Sequence, residues 1–372
     1  MTGATLSCRT NRKTKNKMKR TIFLLSAALC LAAGCDKVPS GLSAGADTEL
    51  TVTLSGLSGP DGTKATGGTA AENKVNNLTV YVFDANGMLD VSHACTAAEI
   101  AAGKATIRTK TGAKTVCAAA NLGSGVAAQA SGAFRLADLA AVPYALSDNG
   151  RSSLTMWGTA AGVNVVSGTG GSVTVKLARG VARVSLGSVR NALPAPFGPV
   201  KLKYAFLCNV VGNQNLGGDA VPDNAKYLNR EATVGHVRTR VVGTGSNEAE
   251  CKDLTFQTLG EEVAVGAAAS YTNKFFYGFP NALTTPNNGF HATFVPTATV
   301  LMVVATIRGV DYYYPVPLSG GLAANTEYKV DLTLAGLGNT GDDPFARIEK
   351  ADLSATIQVS PWNTGAGISE TI

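Results

Sequence analysis

The chain has 372 residues, 42 of them Gly, with 16% charged side chains and a formal net charge of +6. That sparse charge, with abundant small and β-branched residues, favours an all-β protein with many turns over a helical one. Seven of the 32 Lys and Arg (Arg9, Arg12, Lys13, Lys15, Lys17, Lys19, Arg20) precede Cys35 without one acid. The remainder therefore has 25 basic against 26 acidic side chains, net −1, which excludes an electrostatic nucleic-acid binder.

The first elements are a leader. Met18-Lys19-Arg20 is a basic n-region, and the apolar stretch 21–31 is too short for a stable membrane anchor. Leu31-Ala32-Ala33-Gly34-Cys35 then resembles a bacterial lipobox, with Cys35 as the lipidated residue of an outer-membrane precursor. The leader reads from Met18, so 1–17 form an upstream extension.

Leu50-Thr51-Val52-Thr53-Leu54-Ser55 alternates, placing Leu50, Val52 and Leu54 on one face of a strand. A turn-rich segment, 56–68, follows and carries Lys64-Ala65 where a trypsin-like protease can reach it. Lys74-Val75-Asn76-Asn77-Leu78-Thr79-Val80-Tyr81-Val82-Phe83 is apolar on both faces and predicts a central strand covered on both sides. Asn86-Gly87 predicts a hairpin, not a calcium loop.

Short helices are expected at 96–102 and 134–141, and strands at 104–108, 114–120, 154–158, 172–177 and 181–186. Strands at this spacing point to a β-sandwich, with a boundary near residue 180. Further strands are expected at 200–211, 292–296, 299–308, 312–316, 328–334 and 353–362, around a Gly/Asn-rich loop region at 212–250.

No catalytic constellation emerges, so the chain reads as a non-enzyme with no cofactor and no metal. His93, His236 and His291 are dispersed, and the cysteines lack Cys-x-x-Cys spacing. Glu261-Glu262 and Asp342-Asp343 are adjacent pairs that point apart on a strand. Cys95, Cys117, Cys208 and Cys251 permit bridges 95–117 and 208–251, or free thiols such as a buried Cys117. The aromatic runs 275–279 and 312–314 read as core and surface residues of strands, with a glycan-binding face as the alternative.

These motifs, in order, resemble the Bacteroidales fimbrillins (the Mfa/FimA superfamily of type V pilus subunits). The resemblance rests on the lipobox, the early strand and its basic-Ala bond, and the run 74–83. It continues through Thr115-Val116-Cys117-Ala118-Ala119-Ala120-Asn121, Met156-Trp157-Gly158 and Val175-Lys176-Leu177-Ala178-Arg179-Gly180-Val181-Ala182-Arg183. Asn325-Thr326-Glu327-Tyr328-Lys329-Val330-Asp331-Leu332 and Val359-Ser360-Pro361-Trp362 complete it. Motif order and the short tail are most similar to the minor-fimbrium shaft pilins.

The resemblance implies two tandem β-sandwich domains of transthyretin-like, Greek-key type with short helices in loops. They would cover 65–180 and 181–362, after a signal peptide (1–34) and a lipidated propeptide (35–64), and before a donor tail (363–372). It implies an adhesive fimbrium built by polymerisation with copies of this chain and other fimbrial subunits. A trypsin-like surface protease would remove the first strand, and the C-terminal tail of a neighbour would fill the groove. Position for position the cut falls between Lys64 and Ala65, where the best-known members have Arg. An enzyme strictly specific for Arg would not cut there.

A replacement strand must alternate as the first one does. Ala366, Ile368 and Ile372 do so beyond Trp362, and Ala355, Ile357 and Val359 do so before it. The tail after Trp362 is expected to be the main donor. Fully extended, it reaches ~33 Å, enough to cross a sandwich. Three or four buried apolar side chains would contribute about 5–12 kcal/mol gross. The competing reading is a surface-anchored tip or accessory adhesin that binds glycan or host protein.

Overall fold

The computed structural model describes residues 45–55, 69–218, 225–230, 249–285, 296–341, 345–349, 351–362 and the backbone of 368–371. Strands β1 (Asp47–Ser55), β2 (Leu78–Phe83), β3 (Leu89–Ala94), β4 (Lys104–Lys110) and β5 (Gly112–Ala120) come first. Then follow β6 (Pro143–Ala145), β7 (Met156–Val165), β8 (Gly171–Lys176) and β9 (Ala178–Arg179). Helices α1 (Ala97–Ala102), α2 (Ser124–Ser131) and α3 (Leu136–Ala140) lie between them.

The second half holds β10 (Ala182–Asn191), β11 (Val200–Cys208), β12 (Val210–Val211), β13 (Asn213–Asn215) and β14 (Tyr227–Leu228). It continues through α4 (Lys252–Thr255), β15 (Phe256–Thr258), β16 (Glu262–Val263), β17 (Ala268–Gly278), β18 (Val300–Ile307) and β19 (Val310–Pro317). Strands β20 (Thr326–Leu334), β21 (Leu353–Pro361) and β22 (Ile368–Thr371) close the chain. The expected all-β class is therefore observed, with only short helices among the described residues.

In the first half a three-stranded sheet, β4-β1-β8, faces a five-stranded sheet, β3-β2-β5-β7-β9. Leu50, Val52, Val80, Val82, Ile107, Val116 and Val175 share the core between them. The other face of β2 and β5 carries Tyr81, Phe83, Cys117 and Ala119 into a second core, which also receives α2 and α3. Both faces of β2 are thus covered, as its sequence predicts. In the second half the order is β17-β10-β20-β21-β22 in one sheet and β15-β11-β18-β19 in the other.

The Asn86-Gly87 hairpin forms as expected. Asp84 Oδ1 accepts from the N–H of Asn86 and Met88 at 2.8 and 2.9 Å, and Gly87 takes φ +72°. The strand expected at 154–158 starts later, at Met156, and runs to Val165. Helix α2 carries no pattern that would announce it, because Ser, Gly and Ala fill most of its positions. The strand expected at 292–296 falls mostly outside the described residues.

Candidate functional site

Strand β1 lies in a slot. Leu50 and Val52 are 0% exposed and Leu54 6%, while Thr53 faces solvent. The strand runs antiparallel to β4, with Leu50 opposite Ile107 and Val52 opposite Ala105. It runs parallel to β8, with Val52 opposite Val173 and Leu54 opposite Val175. Strands β4 and β8 meet only through it in their sheet. Withdrawing β1 would separate them, open the core beneath and leave backbone donors and acceptors of both unpaired. Gly170 seals one end: a Cβ there would lie 2.4 Å from the Glu49 carbonyl oxygen.

The segment that follows is pinned by a buried polar cluster that the sequence reading did not single out. Glu72, 0% exposed, accepts from Arg183 Nη1 at 2.8 Å, the Tyr277 hydroxyl at 2.5 Å and the Thr69 N–H at 2.5 Å. Arg183 Nη2 also donates to Glu327 Oε2 at 2.7 Å. Arg179 donates to the Glu72 carbonyl, to Asn73 Oδ1 and to Asn325 Oδ1. Both guanidinium groups lie over the Trp362 ring, at 4.6 and 5.0 Å, and Tyr277 stacks on that ring at 5.9 Å.

The available signal was two Arg, four residues apart, inside an otherwise apolar stretch, since such charges are buried only when paired. Their partners come from four distant parts of the chain, and no local pattern names them.

Burial pushes the Glu72 carboxyl up, but hydrogen bonds from Tyr277 and Thr69 and the charge of Arg183 outweigh it. The group is held below its ordinary 4.5. Burial likewise raises Asp90, and the bonds from Lys114 and Thr109 outweigh it, leaving that group below 3.8. Burial pulls Arg179 down to about 10, against Glu72, which leaves it charged at neutral pH. Groups whose folded value is depressed stabilise the fold above the unfolded value and lose that contribution as pH falls through the folded one. Denaturant unfolding at a series of pH values is therefore expected to show stability falling below about pH 4.5. Glu72→Gln should flatten part of that fall.

Trp362 is fully buried and closes β21. Ala355, Ile357 and Val359 lie within this chain's own sheet, opposite Leu332, Val330 and Tyr328 of β20. Beyond Trp362 the chain turns back, and β22 runs antiparallel to β21 with Ile368 opposite Val359. It forms the edge of the sheet. Cys35, Lys64, Ala65, Ala366 and Ile372 lie outside the described residues.

A sequence model of the major fimbrial subunit protein (FimA) family matches residues 48–187. The match runs from Thr48 in β1 into β10, so it contains the slotted strand and both arginines of the buried cluster. Residues 48–187 are therefore similar to the FimA family.

Comparison with curated proteins finds no match. Solved structures carry the fimbrillin fold across nearly the whole chain. A fimbrilin (FimA) from Porphyromonas gingivalis is 16% identical, covers 85% of this chain and 97% of its own length, and has a TM-score of 0.56. A protein assigned to cell adhesion from Bacteroides eggerthii is 21% identical, covers 86% and 97%, and has a TM-score of 0.61.

Within residues 48–187 the permitted Cys95–Cys117 bridge is not formed; both thiols are free. Cys117 points into the core behind β2 and β5, whereas Cys95 packs against the core on the opposite side of that sheet. The 208–251 bridge is not formed either, and Cys208 and Cys251 too pack in separate clusters. The aromatic run near 275 is mostly interior, with Phe276, Tyr277 and Phe279 buried, as are Tyr313 and Tyr314. They are core residues and form no exposed aromatic platform.

Proposed function

We propose that this chain is a structural subunit of a cell-surface fimbrium, exported as a precursor lipidated at Cys35 and tethered to the outer membrane. A trypsin-like protease cuts between Lys64 and Ala65. Strand β1 then leaves, and a strand from a neighbouring subunit takes its place. The role is mechanical, not catalytic.

The observation that carries this reading is the position of β1, the bridge between β4 and β8 and the first strand among the described residues. It is bound by contacts that any strand of matching alternation could make. The incoming strand is assigned to the tail after Trp362. Giving away Ala355, Ile357 and Val359 as well would strip β20 of one of its two neighbours and leave β10 alone beside it. Among the described residues of the tail, 368–371 pair with β21 alone, so their release breaks one ladder. The tip-adhesin alternative gains little from the two aromatic runs, of which Phe276, Tyr277, Phe279, Tyr313 and Tyr314 are buried.

N-terminal sequencing of isolated fibres is expected to read Ala65-Thr66-Gly67. A polymer that starts at Cys35 would overturn the cleavage. Deleting 363–372 should leave folded monomers that do not polymerise; normal fibres from that variant would remove the tail as donor.

A further inference from the structure

A second site lies at the corner between β3 and α1. His93 and Cys95 are two residues apart on extended chain, so their side chains leave on the same side. Glu99 returns to them from the first turn of α1. A capping box fixes its carboxylate: the N–H and Oγ1 of Thr96 donate to Glu99 Oε2 at 2.7 and 2.9 Å. Oε1 is thereby turned to His93 Nε2, 3.0 Å away. The donor atoms of His93, Cys95 and Glu99 all lie within 4.8 Å of one another, and all three residues are half-buried.

A tetrahedral zinc ion with bonds of about 2.0–2.3 Å sets its donors roughly 3.3–3.8 Å apart. The His93–Glu99 pair needs to open by a few tenths of an ångström, and Cys95 to close by a side-chain rotation. A nitrogen, a sulfur and an oxygen together suit a borderline-soft ion and not Mg²⁺ or Ca²⁺, which take oxygen. Thr96 plays the part of an outer-shell partner that orients a ligand. Cys95 also lines a cleft of about 610 Å³, which His93 and Glu99 do not line.

We propose that His93 Nε2, Cys95 Sγ and Glu99 Oε1 bind one zinc ion, with a fourth position left to water. On binding, the Cys95 proton passes to solvent and the sulfur–zinc bond forms without any change of oxidation state.

The test is titration of the reduced, tag-free protein with Zn²⁺, and separately with Co²⁺ as a spectroscopic probe. One ion per chain is expected, with thiolate-to-cobalt charge-transfer absorption in the near ultraviolet. Cys95→Ser should abolish that band, and His93→Ala and Glu99→Gln should weaken zinc binding by about tenfold or more. In the unsubstituted protein, Zn²⁺ should protect Cys95 from alkylation while leaving Cys251, also partly exposed, unchanged. This arm does not depend on the variants folding. No binding, binding undiminished in all three variants, or equal alkylation of Cys95 with and without zinc would reduce the corner to a His93–Glu99 ion pair beside a free thiol.

Discussion

Glu72→Ala is expected to destabilise the folded protein by about 3–5 kcal/mol, the usual result of removing one partner from a buried ion pair. The carboxylate is fully enclosed and accepts from Arg183, Tyr277 and Thr69. Without it, Arg183 loses one carboxylate partner and keeps Glu327, and the Tyr277 hydroxyl loses its acceptor. The measurement is the denaturant midpoint with an unchanged slope, which separates lost stability from a changed unfolded state. Glu72→Gln should cost less, because an amide still accepts from Tyr277. A double-mutant cycle with Arg183→Met should then give a large coupling energy. Independent, additive effects would mean that the two side chains merely lie close. The cluster also ties 69–73 to Trp362 through the two arginines. If the chain is cut after Lys64, the new N-terminus therefore stays held beside the root of the tail.

Protein beginning at Ala65 is expected to fold with an open slot. Three buried side chains, Leu50, Val52 and Leu54, go with β1, a loss of about 5–9 kcal/mol gross. Thermal unfolding should shift down, and a dye that reports exposed apolar surface should bind. A peptide of residues 46–55 should reverse both changes in proportion to its concentration. The same peptide carrying Val52→Asp should fail, since its carboxylate would enter the core unpaired. In the uncut chain, Leu50→Ala should cost about 2–5 kcal/mol. Equal melting of the cut and uncut forms would show that β1 contributes little, and the slot would lose its meaning as an acceptor site.

Much of this was legible in the residues themselves. Strand β1 was readable because its alternation is local, with apolar residues at every second position against one buried face. Strand β2 was readable as a central strand for the same reason, with apolar side chains on both parities. Helix α1 starts from a capping box between Thr96 and Glu99, a local signal confined to four consecutive residues. Helix α2 was not readable, because small residues leave no periodic contrast.

The sequence by itself determined the all-β class, the slotted strand and the order of motifs shared with the fimbrillins. Each is set by neighbours along the chain, by turn chemistry or by period-two alternation. Only the tertiary structure decided what crosses between distant segments. It set β1 parallel to β8 and antiparallel to β4, put Cys95 and Cys117 on opposite faces of one sheet, and folded β22 back onto β21. It also gathered Glu72, Arg183, Tyr277, Glu327 and Trp362 into one buried cluster. Such contacts depend on which strands become neighbours in space, and sheet pairing at long range leaves no periodic trace in the residues that make it.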